Sequence, residues 1–137
     1  MTDLKNNELK GIDTKILADE AVMVLCEKQG IDIKLFDVRE NATITDFYVN
    51  CTGKSLSHVA SLADDLCDNF EERGRSPLRI EGKRGNSWIL VDFGDVIVNI
   101  FDSEARGFYN LDKHLPPEAL RPIDELIKRV DEKLGFI

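Results

Sequence analysis

Cysteine, histidine and tryptophan are scarce in this 137-residue chain, at three, two and one residues, and each scarcity removes a kind of chemistry. Cys26, Cys51 and Cys67 are odd in number, far apart, and each set in an otherwise apolar stretch. That pattern predicts buried free thiols rather than a disulfide framework. No Cys-x-x-Cys is present, and His58 and His114 have no partner at ligand spacing, so no zinc site is expected. No apolar run approaches the roughly 20 residues needed to span a bilayer. The start, Met1-Thr-Asp-Leu-Lys-Asn-Asn7, lacks the apolar stretch of a signal peptide, which makes the cytoplasm the expected location. Repeats and low-complexity segments are missing too. The length suits one domain around one core.

Positive charge is the other deficit. Lys and Arg number 18 against 26 Asp and Glu, for a net charge of −8. Such a balance disfavours a phosphate backbone as main partner, because that contact exchanges counterions for basic side chains. It suits a basic protein partner instead. Residues 73–85 run against the average, with Arg73, Arg75, Arg79, Lys83 and Arg84 against Glu81 alone. A solvated loop and edge strand is the plain reading of them. A minor contact of Lys83 and Arg84 with RNA is the alternative.

Periodicity supplies the elements. Residues 1–11 are polar and expected to be flexible. A helix capped by Asp13 or Thr14 runs to about Gln29, with Leu17, Ala21, Val24 and Leu25 on one stripe and Gly30 as its stop. Residues 31–38 alternate as a strand, and a second strand covers Phe47 to Cys51. Ser55 caps the next helix, on which Val59, Leu62, Ala63, Leu66 and Phe70 form a wide apolar face closed by Gly74. Pro77 to Glu81 reads as a short strand, with the proline at its start or on an edge. Ser103 to Leu111 suggests a short helix broken at Gly107. A last helix is expected from Pro122 to Gly135. Its Leu120, Ile123, Ile127, Val130 and Leu134 favour packing onto its own domain over a dimer seam. The order of elements predicts a single α/β domain with a mixed five-stranded sheet and flanking helices.

Gly94-Asp95 between Trp88–Phe93 and Val96–Phe101 marks a hairpin with a two-residue turn. Paired positions then sum to 189 and share a face. One face collects Ile89, Val91, Phe93, Val96, Val98 and Ile100, all apolar, and should lie under helices. The other mixes Trp88, Leu90, Asp92, Ile97, Asn99 and Phe101. An uncovered face of that kind resembles an interface centre. If a loop or the last helix covered it, Trp88 would be ordinary core. Both readings stay open at this point.

Other groupings have plainer explanations. Gly53-Lys54-Ser55 looks like the end of a phosphate-binding loop, but Tyr48 stands where that loop needs its first glycine. A turn glycine followed by a serine cap accounts for it. Asp92 and Asp95 flank a hairpin turn, where aspartate is favoured by its own backbone hydrogen bonds. Asp64-Asp65 and Glu71-Glu72 fall on an outer helix face. His58 has no neighbouring nucleophile. No catalytic residues and no cofactor are expected.

Several motifs occur in order between Ile31 and Leu111. They are Thr45-Asp-Phe-Tyr-Val49, Thr52-Gly-Lys-Ser55 with His58-Val59, Glu81-Gly82, Trp88-Ile-Leu-Val-Asp-Phe-Gly-Asp-Val-Ile-Val-Asn-Ile-Phe101, and Arg106-Gly-Phe-Tyr-Asn-Leu111. On these the chain resembles the ribosomal silencing factor (Iojap, RsfS) family. The resemblance implies a nucleotidyltransferase-like fold without catalytic carboxylates. It also implies a homodimer that binds ribosomal protein fourteen of the large subunit, blocks subunit joining by steric hindrance, and represses translation when nutrients are short. The expected docking patch is Trp88, Leu90, Asn99 and Phe101, with Asp92, Asp95, Arg106 and Tyr109 as rim or support. The domain would cover residues 12–115, with 116–137 a helical extension. Two departures stand out: Asn99 where many members have His, and Leu111-Asp-Lys-His-Leu115 without the family's terminal Trp. The rivals are a nucleotide-binding nucleotidyltransferase-like enzyme, and a dimerising interaction module unrelated to the ribosome.

Overall fold

The computed structural model describes residues 7–41, 43–82 and 85–136. In chain order they form α1 (Thr14–Glu27), β1 (Ile31–Asp37), β2 (Phe47–Gly53), α2 (Leu56–Glu72), β3 (Arg79–Glu81), β4 (Trp88–Asp92), β5 (Val96–Asp102), α3 (Ser103–Tyr109), β6 (Leu120–Arg121) and α4 (Asp124–Leu134). Two 3-10 turns, Leu111–His114 and Pro117–Ala119, lie between α3 and β6. The strands make one sheet in the order β3-β4-β5-β2-β1-β6. β2 and β5 pair in parallel at its centre, and every other pairing is antiparallel. The sheet is mixed, as expected, but has six strands rather than five. β6 is two residues long, too short to alternate, and proline stands on either side of it at Pro117 and Pro122.

Helices α1, α2 and α4 cover one face. Asp13 caps α1 by accepting the Lys15 N–H, and Ser55 caps α2 by accepting the His58 N–H. The apolar stripes then meet Val49, Cys51, Ile89, Val91, Val98 and Ile100 in one buried cluster. The two-residue turn pairs β4 with β5 as expected, Trp88 opposite Phe101 and Ile89 opposite Ile100. Gly94 supplies the positive φ, at 91°.

Four local expectations change. The left-handed residue after α1 is Gln29, at φ 69°, not Gly30. Gly30 is required for close approach instead, since a Cβ there would lie 2.5 Å from Cys51 Sγ. α3 runs unbroken through Gly107. Asp102 caps it, and left-handed Asn110 ends it. α4 opens at Asp124, and its inward residues are Leu126 and Val130, while Leu120 and Leu134 are exposed. The start of the chain is partly tied down: Leu9 is buried and its N–H bonds the Arg73 carbonyl, with Arg73 gripping Glu8 and Glu20. The described part of the C-terminal stretch, residues 116–136, contributes β6 and α4. β6 pairs with β1, and Leu126 joins the main core cluster.

Candidate docking face

The second face of the sheet is left open by α1, α2 and α4, and carries the alternating side chains of β1, β2, β4 and β5. The registers bring Lys34, Asn50, Asn99 and Leu90 into one row, and Thr52, Phe101 and Trp88 into the next. α3 follows β5 directly, so its last turn folds back over the end of this face. Trp88 therefore packs between Phe101 and Tyr109, at ring-centroid distances of 4.9 and 4.8 Å. Phe108 meets Tyr109 edge-on at 5.1 Å. Phe108 is 79% exposed and Tyr109 44%, which leaves a continuous aromatic surface. A shallow concavity beside it is lined by Glu81, Asn86, Ser87, Trp88, Leu90 and Tyr109.

Beneath that surface runs a row of polar bonds. The Trp88 indole N–H donates to Asn99 Oδ1 at 3.0 Å, and Asn99 Nδ2 donates to Asn50 Oδ1 at 3.1 Å. Asn50 Nδ2 donates to Asp112 Oδ1 at 2.7 Å. The other carboxylate oxygen of Asp112 accepts from Arg106 Nε and Nη2, at 3.2 and 3.0 Å. Arg106 Nη1 completes the row by donating to Thr52 Oγ1 at 2.8 Å. Asn50 and Asn99 are fully enclosed, so each amide must bond within the protein or leave a costly unpaired group.

The expected site residues thus divide. Trp88, Leu90 and Tyr109 line the surface. Asn99 and Phe101, expected in the patch, are 1% and 0% exposed and support it from below, Asn99 bonded to the Trp88 indole and Phe101 beneath the Trp88 and Tyr109 rings. Arg106, expected at the rim, is buried in its pair with Asp112. Asp92 serves the turn, accepting the Gly94 N–H at 2.7 Å, and pairs with Arg79. Asp95 accepts from Arg75 at its side chain, and from the Asp46 and Phe47 N–H groups at its carbonyl. Burial and the nearby Asp92 carboxylate push the Tyr48 phenol up from its ordinary range.

Phe108, Asn50, Asp112 and Thr52 escaped the sequence reading. A lone amide between Val49 and Cys51 was the available hint, since polar groups in central strands require partners. Naming Asn99 as that partner needed the parallel register of β2 and β5.

At Gly53-Lys54-Ser55 both Lys54 donors that a phosphate would use are occupied. The Lys54 N–H donates to His58 Nδ1 at 2.9 Å, and Lys54 Nζ to Gln29 Oε1 at 3.2 Å. His58 Nε2 lies 3.0 Å from the Lys28 carbonyl and so ties α2 to the end of α1. All three cysteines are free. Burial pushes the Cys51 thiol up to about 12. In the basic stretch, Arg73 pairs with Glu20, Arg75 with Asp95, and Arg79 with Glu81 and Asp92. Lys83 and Arg84 lie outside the described residues. Among the described residues, no helix is long and apolar enough to cross a membrane.

Fold and site define an α/β domain with helices on one sheet face and an aromatic surface, set on a buried polar row, on the other. The family model described as "Ribosomal silencing factor during starvation" matches residues 12–132. The ribosomal silencing factor of Haemophilus influenzae is 41% identical over 85 residues, covering 62% of this chain and 83% of that protein. Its namesake from Bacillus subtilis is 33% identical over 98 residues, covering 72% and 83%. A crystal structure of a Chromobacterium violaceum protein shares the fold, with a TM-score of 0.74 at 24% identity over 81% of this chain and 91% of that one. The chain belongs to the ribosomal silencing factor family.

Proposed function

We propose that the protein silences ribosomes by binding. It docks on the large subunit through ribosomal protein fourteen, prevents the small subunit from joining by occupying the space, and so represses translation under nutrient limitation. The observation that carries this reading is the aromatic surface of Trp88, Phe108 and Tyr109 beside Leu90, on the sheet face that α1, α2 and α4 leave open. Exposed apolar clusters of this kind mark interaction sites, where a few aromatic anchors dominate the binding energy. The net charge of −8 suits a basic ribosomal protein.

In this reading the domain is a cytoplasmic, non-catalytic relative of the nucleotidyltransferases and a homodimer when free. Lys83 and Arg84 add at most a minor contact with ribosomal RNA. The occupied Lys54 N–H and ammonium support binding over nucleotide chemistry.

Pelleting through sucrose with isolated large subunits tests the proposal. The wild-type protein is expected in the pellet, and subunits treated with it should no longer accept small subunits. Trp88→Ala and Phe108→Ala, each shown folded by circular dichroism, should remain in the supernatant. Undiminished pelleting of both folded variants would overturn the assignment of this face. Saturable heat on titrating magnesium ATP or GTP into the protein would revive the enzymatic rival.

A further inference from the structure

The polar row under the aromatic surface has a fixed direction. An indole N–H only donates, and a carboxylate only accepts. Trp88 stands at one end of the row and Asp112 at the other, with two amides between them. Each amide must therefore turn its oxygen toward Trp88 and its nitrogen toward Asp112. Reversing either one would set N–H against N–H, or oxygen against carboxylate, inside an enclosed space. Asn50 and Asn99 are 0% and 1% exposed, so water cannot repair a broken link.

The far end of the row lies on a turn just before Leu115, which packs against the cluster of Phe36, Val38 and Ala119. None of the residues of the 3-10 turn Leu111–His114 is buried. Its attachment to the sheet is polar: Asp112 accepts from Asn50 and Arg106, and lies 3.7 Å from Lys34 Nζ. Arg106 in turn belongs to α3, which also carries Phe108 and Tyr109.

We propose that Asp112 is a positioning residue for the docking face, setting the orientation of the Trp88 indole through Asn50 and Asn99. Rotation of the indole and release of the 111–114 turn are then one coupled event. A partner that needs the indole as it stands meets a surface already arranged, and one that turns the indole must also loosen the turn. Because coupling free energies are reciprocal, a change at either end is felt at the other. This inference rests on Trp88 as a docking residue, but its test needs no ribosome.

Trp88 is the single tryptophan, so a nitrogen-15 correlation spectrum of the isolated protein carries one indole N–H signal. In Asp112→Ala that signal should move and its exchange with solvent should quicken. Asp112→Asn keeps one oxygen for Asn50 but turns its amide nitrogen toward the Arg106 donors, so it should restore the signal only in part. Lys113→Ala, a neighbour outside the row, should leave it in place. An unmoved indole signal in folded Asp112→Ala overturns the proposal. Should that variant not fold, Trp88→Phe reads the row from its other end, keeping the ring and removing only the donor. The side-chain amide protons of Asn50 should then exchange about tenfold faster, the loss expected for one buried hydrogen bond. Unchanged exchange there is equally fatal. Failure of the docking reading looks different: Trp88→Ala would still pellet with large subunits, whatever the spectra show.

Discussion

A methyl group added at Gly53 separates a packing glycine from a phosphate-loop glycine. A Cβ built there would lie 2.8 Å from Val59 Cγ2, 2.9 Å from the Val59 backbone nitrogen and 3.1 Å from Val59 Cα. Two of those three atoms are backbone in the first turn of α2, so no rotamer change relieves them. The helix would have to shift, straining the Ser55 cap and the bond between the Lys54 N–H and His58. Overpacking of a fitted core costs about 1–3 kcal/mol, and a backbone clash belongs in the upper half of that range. Gly107 is the opposite case: it lies inside α3, has no positive φ, and a Cβ there meets nothing within 4 Å. Alanine at Gly107 should stabilise by about 0.5–1 kcal/mol, the helix-interior difference between the two residues. Urea unfolding followed by far-ultraviolet circular dichroism measures both, with the slope held common. The same chemical change is thus expected to have opposite signs at two sites. Gly53→Ala within about 0.5 kcal/mol of wild type, the usual scatter of neutral surface changes, would refute the packing argument. A fully stable Gly53→Ala that had lost heat-detectable nucleotide binding would favour the phosphate loop.

Three further outcomes follow from the geometry. Hydrogen bonds from Arg39, aided by Arg121, hold the Asp37 carboxyl below the usual carboxylate range. A depressed value contributes stability above the unfolded-state value of about 3.9 and loses it as pH falls through the folded one. The deficit of Asp37→Asn should therefore be constant near neutrality and fade below about pH 4 in acid-denaturation curves. Burial pushes the Cys51 and Cys67 thiols up to about 12 and about 11, whereas Cys26 is raised but half-buried. A disulfide reagent at mild alkaline pH should therefore label Cys26 first, and reach the other two only in urea; rapid labelling of Cys51 in the native protein would contradict its placement. Deleting residues 120–137 strips Leu126 and Val130 from the core, about 3–6 kcal/mol of burial. That is comparable with the whole stability of a small domain, so the shortened chain should melt far lower or aggregate.

How much of this was legible in the sequence depended on the range of the interaction. The Trp88–Phe101 pairing followed from Gly94-Asp95 alone, because a two-residue turn sets the register of both strands. The caps at Asp13 and Ser55 are also local and were readable. Gly107 misled because one interior glycine costs only about 1 kcal/mol, which the caps at both ends of α3 offset. The polar row was invisible because it joins three segments far apart in sequence. Asn50 meets Asn99 only after β2 and β5 pair in parallel, and Asp112 arrives on a turn with no periodicity. Burial of Asn99 and Phe101 was hidden for the same reason. Tyr109, whose ring lies against Phe101, belongs to an element whose path follows from tertiary packing.

The two outer strands carry a further consequence. β3 has three residues and β6 two, and both bear arginine, Arg79 and Arg121. An edge that short and that charged is a poor template for another chain's backbone. The domain can therefore display Phe108 and Tyr109 to solvent without inviting strand-by-strand polymerisation. Its stickiness resides in side chains, which choose their partners by shape and charge, while its two outer strands are too brief to capture whatever extended peptide drifts past.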